Sequence, residues 1–242
     1  MDSQPLAGRT IAVPETREIE VFAAMLERRG AKVVRCPMVA ILDAPDPAPV
    51  LEWSRRFAQG SCDDLILLTG EGLRRILGCI ERHEPALRGG FLRALERVGV
   101  IATLRAHDLK GRRVGVQLYG TEPNRPLVDF LEGAGASVLV VAPYVYADAA
   151  DDEAVLSLLK RMQAGEVDAI AFTSTPQVER LFTAAPAETV TAALAETLVA
   201  AVGPVVADAL QKHGVDARLM PEESFFLKPL TSVLEDALGA RA

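Results

Sequence analysis

Two stretches of this chain follow one plan. Residues 10–37, "TIAVPETREIEVFAAMLERRGAKVVRCP", and residues 112–143, "RRVGVQLYGTEPNRPLVDFLEGAGASVLVVAP", each run strand, turn, helix, glycine stop, strand, proline. In the first, Ile11–Val13 reads as a strand, and Val21, Phe22, Met25 and Leu26 fall at helical spacing. Gly30 ends that helix, and Lys32–Arg35 is the second strand. In the second, Val114–Leu118 is the strand, Leu127, Val128, Phe130 and Leu131 carry the helix, and Gly133 or Gly135 stops it. Another plan also occurs twice. "DDLILLTGEGLRRIL" (63–77) matches "DAIAFTSTPQVERLF" (168–182): acidic lead-in, buried strand, Thr-containing turn, helix. A third plan, "LVAAVGPVVADALQKHGVDARLMP" (198–221), occurs once, before a last helix from about Leu227 to Leu238. The order A, B, A, B, C is a tandem duplication. Strands alternating with helices over short links predict parallel sheets, here in two similar α/β domains.

The first half lacks its third unit. "LRALERV" (92–98) resembles the lead-in "AALAETLV" (192–199), and "GVIATLRAHDLKG" (99–111) then reads as the closing helix. A crossover between parallel strands takes a dozen or more residues, and none are left for it. Either the chain has lost that strand–helix–strand unit or the sequence skips a segment at 98/99. The second is favoured, which would put residues 98 and 99 far apart in space.

Composition removes several function classes. A net charge of −7 with no basic block argues against nucleic-acid binding. No apolar run reaches the ~20 residues of a membrane helix. The opening "MDSQPLAGRT" lacks the features of a signal peptide, and Cys36, Cys62 and Cys79 have no metal-type spacing. A cytoplasmic protein is expected. There is no HExxH, CxxC, Walker or GxSxG motif, and His83, His107 and His213 read as surface residues. "LLTGEGLRRIL" holds half of a dinucleotide fingerprint: Gly70 and Gly72 are present, but Arg75 replaces the third glycine.

Three strand–helix turns remain as candidate anion sites: Thr69 to Gly72, Thr173 to Gln177, and Gly203–Pro204–Val205. Free N–H groups and the helix dipole at such turns favour carboxylates. Ligands of open α/β sheets bind at the carboxyl ends of strands, where all three turns lie. Ser174 and Thr175 add hydroxyls or serve as helix caps.

In their order and spacing, "TREIEVFAAMLERRGA", "DLILLTGEGLRRIL", "GVQLYG", "APYVYAD", "AIAFTSTPQVERLF" and "AAVGPVVADALQKHGV" resemble the uroporphyrinogen-III synthase family. The resemblance covers nearly the whole chain. It implies a discontinuous domain, 1–37 plus 146–242, and an inserted domain, 38–145. A two-stranded ladder of connectors, about Cys36–Leu42 and Pro143–Ala149, would join them, with the active site in the cleft between. It implies a lyase that closes hydroxymethylbilane, a linear tetrapyrrole with eight carboxylates, to uroporphyrinogen III. Water is lost and the last pyrrole ring is inverted. No metal or organic cofactor is implied, nor any membrane or nucleic-acid partner, and a monomer is expected.

The resemblance also assigns residues. Tyr144 matches the tyrosine that lines the family's cleft and is the candidate proton donor to the departing hydroxyl, with Tyr146 in reserve on the same face of the connector. Arg17 lies in the first A turn, where the family often has a basic residue. Tyr119, Gly120 and Thr121 hold the matching turn of the second A unit, with Asn124 and Arg125 beside them. One departure stands out. The family often has a hydroxyl residue in the two positions after Gly-Pro, and this chain has Val205 and Val206. Two rival classes follow: a non-catalytic sensor domain of a bacterial transcriptional regulator, which "PEESFFLKPLTSVLEDAL" also resembles, and a two-lobed small-molecule receptor.

Overall fold

The computed structural model describes residues 4–100, 108–118, 123–148 and 152–239. They form two compact units, Met1–Ala40 with Ala147–Ala242, and Ile41–Tyr146.

Unit 1 holds β1 (Thr10–Val13), α1 (Ile19–Glu27), β2 (Lys32–Arg35), α6 (Asp152–Gln163), β9 (Ala169–Phe172), α7 (Thr175–Ala184), α8 (Ala187–Ala195), β10 (Leu198–Ala201) and α9 (Pro204–Lys212). Its sheet is β10-β9-β1-β2, parallel throughout. Unit 2 holds β4 (Asp64–Leu67), α3 (Gly70–His83), α4 (Arg88–Arg97), β5 (Gly99–Val100), β6 (Arg113–Gln117), α5 (Arg125–Gly133) and β7 (Ser137–Val141). Its sheet, β5-β4-β6-β7, is also parallel and places each strand where its repeat stands in unit 1. The buried strand runs follow from this: a parallel sheet is covered on both faces, so "AIAF" is buried at all four positions.

The connectors form their own two-stranded sheet, β3 (Val39–Asp43) with β8 (Tyr144–Asp148), and the boundary between units falls inside both strands. Pro37 and Pro143 precede these strands, so neither removes a ladder donor from a sheet interior.

Each unit has a separate core. In unit 1, Ile11, Val13, Phe22 and Leu26 pack with Leu230, Leu234 and Leu238 of α10 (Leu227–Gly239). In unit 2, Trp53 and Phe57 stack at 5.1 Å, and Phe91 leans on both. Trp53 and Phe57 come from α2 (Ala48–Ala58), and the Trp53 indole N–H reaches Leu139 O at 2.9 Å.

The acidic lead-ins have a repeated job. The Asp168 carboxylate accepts from Thr10 N at 2.8 Å, and Asp63 accepts from Arg113 N at 3.0 Å. In each unit the aspartate before the B strand caps the first N–H of the A strand beside it.

At 98/99 the structure differs from one part of the expectation of a missing unit, the absence of its first strand. Val98 N donates to Ala94 O at the end of α4, and Gly99–Val100 form β5 at once. β5 stands beside β4 as β10 stands beside β9, so the first strand of a third unit is present. A two-residue strand has no periodicity to read, which is why residues 99–111 read as one closing helix. Residues 101–107 lie outside the described residues.

Candidate functional site

The carboxyl ends of β4 and β6 bring Thr69, Gly72, Gln117 and Tyr144 together in unit 2. Thr69 is the N-cap of α3, in extended backbone, and its Oγ1 accepts from Gly72 N at 3.1 Å. The same oxygen lies 3.3 Å from the Tyr144 hydroxyl. Gln117 ends β6, is fully buried, and its Oε1 accepts from Thr69 N at 3.2 Å. Gly72 makes room for it: a Cβ there would stand 1.9 Å from Gln117 Cδ.

Unit 1 repeats the device with its parts exchanged. Thr69 and Ser174 are both N-caps, so Gly72 and Gln177 both hold the third helical position. Gln177 Oε1 accepts from Thr173 N at 2.8 Å and Ser174 N at 3.3 Å. By strand register, Ala12 opposite Ile170 matches Gly115 opposite Leu65. Pro14 therefore occupies the place of Gln117. A glutamine amide covers the turn in both units, from the helix in one and from the neighbouring strand in the other.

This narrows the expectation that the Thr69 and Thr173 turns offer backbone donors to a substrate, since three of their N–H groups are engaged within the protein. The N–H groups of Thr69, Thr173 and Ser174 already have glutamine partners, because a half-buried donor left unpaired is costly. In unit 1 the hydroxyl of Thr173 donates to Glu15, and Gln177 Nε2 reaches Thr173 Oγ1 at 2.8 Å. Glu15 also accepts from Thr16 N at 2.9 Å and Arg17 N at 3.0 Å. The side chain of Arg17 is exposed. Sequence reasoning missed Glu15 and Gln117, and it bounded the Thr173 turn at Gln177 without giving its amide a role; a polar residue ending an otherwise apolar strand, as in "VGVQ", was the available signal for Gln117.

The third turn is different. Gly203 is the N-cap of α9, and its Cβ position would meet the Phe225 ring at 3.0–3.1 Å. Pro204 and Val205 are exposed, Val205 at 67%, while Val206 is buried. Gly70 and Thr175 open α3 and α7. Tyr119, Gly120 and Thr121 lie outside the described residues.

Tyr144 is only 1% exposed, and Tyr146 packs edge-on against it at 5.6 Å. In the first turn of α3, the buried Glu71 carboxylate is held by Arg74 and Arg75. Burial raises its proton affinity, but the two guanidiniums outweigh burial and hold it below the usual carboxylate range. Arg75 also binds Asp43 at 2.9 Å and Ile41 O at 2.8 Å, tying β3 to α3.

A cavity of about 360 Å³ lies at the amino ends of β4 and β6, lined by Phe57, Cys62, Asp63, Arg97 and Arg112. Asp63 and Arg112 are already paired there, with Arg113 and Asp64. Burial pushes the Cys62 and Cys79 thiols up from their ordinary range. Among the described residues, no group of three or more His, Cys, Asp or Glu could hold a metal ion, and no helix is long and apolar enough to cross a membrane.

Residues 93–226 match the family model described as Uroporphyrinogen-III synthase HemD. A mutant uroporphyrinogen III synthase from Thermus thermophilus has a similar structure, with TM-score 0.68 at 27% identity over 97% of this chain and 100% of that one. The Helicobacter pylori uroporphyrinogen-III synthetase shares the fold, with TM-score 0.57 at 15% identity over 96% of this chain and 100% of that one. The Bacillus subtilis protein named Uncharacterized protein YjjA is 31% identical over 252 residues, 90% of this chain and 92% of the relative.

Proposed function

We propose a reaction on one premise: the chain belongs to the uroporphyrinogen-III synthase family. It closes hydroxymethylbilane to uroporphyrinogen III, losing the terminal hydroxyl as water and inverting the last pyrrole ring. The substrate supplies most of the reactivity, because loss of hydroxide leaves a resonance-stabilised cation. The protein's share is to hold the chain so that the substituted carbon of the last ring attacks, and to give a proton to the departing hydroxyl.

The observation that carries this reading is the Tyr144 hydroxyl, set 3.3 Å from Thr69 at the N-terminus of α3. Tyr144 is the proton donor in this reading. Its burial sets a condition: the leaving hydroxyl must come within about 3 Å of the phenol oxygen. Substrate carboxylates then go to backbone donors that the glutamines leave over. The protein acts as a monomer, without metal or organic cofactor. The domains in this reading are 1–37 with 146–242, and 38–145.

The test is an isomer assay. Hydroxymethylbilane is supplied, the products are oxidised, and the type I and type III porphyrins are separated. A dominant type III isomer is expected, and Tyr144→Phe should cut its rate at least about a hundredfold, in the range of acid catalysis by one positioned group. Type I alone, as in a protein-free control, overturns the reading.

One observation favours a second reading. Val205 is 67% exposed at the Gly-Pro turn and has no hydroxyl to offer. A sensor domain that binds a tetrapyrrole without turnover fits that surface, and the same assay separates the two.

A further inference from the structure

We propose that Thr69 is a positioning residue that donates its hydroxyl hydrogen bond to Tyr144 and so turns the Tyr144 proton outward, toward a leaving group. The proposal rests on the reading of Tyr144 as donor. The Gly72 N–H can only donate, so Thr69 Oγ1 is the acceptor of that 3.1 Å bond. Thr69 keeps one proton of its own, and Tyr144 Oη lies in reach of it at 3.3 Å. If Thr69 donates there, the phenol proton points away from Thr69. The chain of donors then runs from the Gly72 amide to Thr69 to Tyr144, and each bond polarises the next. It starts at the positive end of α3, which favours negative charge growing on the phenol oxygen as its proton leaves. At 3.3 Å the last bond is longer than an ordinary O–H···O bond, and charge growing on the phenol would shorten it.

The rest of the turn holds Thr69 still. Its N–H is tied to Gln117, which no solvent reaches, and Gln117 fits only because Gly72 has no Cβ. Thr69 is also β-branched, which narrows its rotamers. Capping alone does not explain a hydroxyl here: Asp caps a helix as well as Thr does, but an ionised Asp has no proton to donate.

That difference makes the test. Thr69→Asp should unfold at the same urea concentration as wild type, yet lose at least about tenfold in kcat for type III formation with KM unchanged. Thr69→Ser should keep kcat within about twofold, since its hydroxyl caps and donates in the same way. A second readout does not depend on turnover. Tyrosine is labelled with carbon-13 at Cζ, and the Tyr144 signal is assigned by its loss in Tyr144→Phe. The signal should shift in Thr69→Asp and stay in Thr69→Ser. Wild-type kcat in Thr69→Asp, or an unmoved Cζ signal, overturns the proposal. A shifted signal in a protein that makes only type I porphyrin leaves the Thr69–Tyr144 contact standing and removes the synthase reading instead.

Discussion

The turns after β4 and β9 reach the same end by different routes. Each has a buried glutamine whose carbonyl takes the N–H of the helix-cap residue. In unit 1 the glutamine is Gln177, three residues into the helix it caps. In unit 2 it is Gln117, 48 residues away in sequence from the Thr69 it serves, and the helix position is the glycine that admits it. After duplication the backbone demand stayed and the residue meeting it moved. The cap residue of unit 2, Thr69, has its hydroxyl within reach of Tyr144; in unit 1 the hydroxyl engaged by Glu15 belongs to Thr173, the residue before the cap Ser174.

The strongest way to break this comparison is Gly72→Ala. The new Cβ meets the Gln117 amide inside a packed site, and a loss of about 3 kcal/mol is expected in urea unfolding. Gly72→Gln with Gln117→Ala would rebuild the unit 1 arrangement in unit 2. The pair should be more stable than Gly72→Gln alone; equal stability would mean that the two sites are not one device. Next, Gln177→Ala strips two N–H groups of their partner in unit 1 and should cost about 1–2 kcal/mol by the same measurement.

The amino ends of the sheets sharpen the comparison. Arg112 forks onto Asp64 with two bonds of 2.8 Å, and the Asp64 side chain is 6% exposed. Arg9 meets Asp168 at 3.2 Å with both side chains partly in water. Arg112→Ala, which leaves a buried carboxylate unpaired, should therefore lower the urea midpoint more than Arg9→Ala does. The smallest effect is in acid. Hydrogen bonds from Arg113 hold Asp63 at about 2, below its ordinary 3.8. A carboxylate depressed in the folded state stabilises above its unfolded value and loses that stability as pH falls through the folded one. Stability should drop between about pH 4 and 2, and Arg113→Ala should flatten that part of the pH profile.

The sequence by itself determined the sheets. Apolar strands, glycine stops and the repeated A and B plans are local signals, and a parallel α/β sheet follows from them because short strands alternate with helices and inner strands such as β1, β6 and β9 are largely buried. The acidic lead-ins were legible as a repeat, and their purpose became clear once the A strand lay beside the B strand. Tyr144 and Thr69 were each readable as single residues, one by family resemblance and one as the start of a candidate anion-binding turn. Their contact was not, since 75 residues separate them. The role of Gln117 was equally hidden, because its partner lies across the sheet and its space depends on a missing Cβ. Tertiary structure decided which donors stay free for a ligand: a backbone N–H goes to the nearest buried acceptor, and which acceptor is nearest is set by strand order and register rather than by neighbours in the chain.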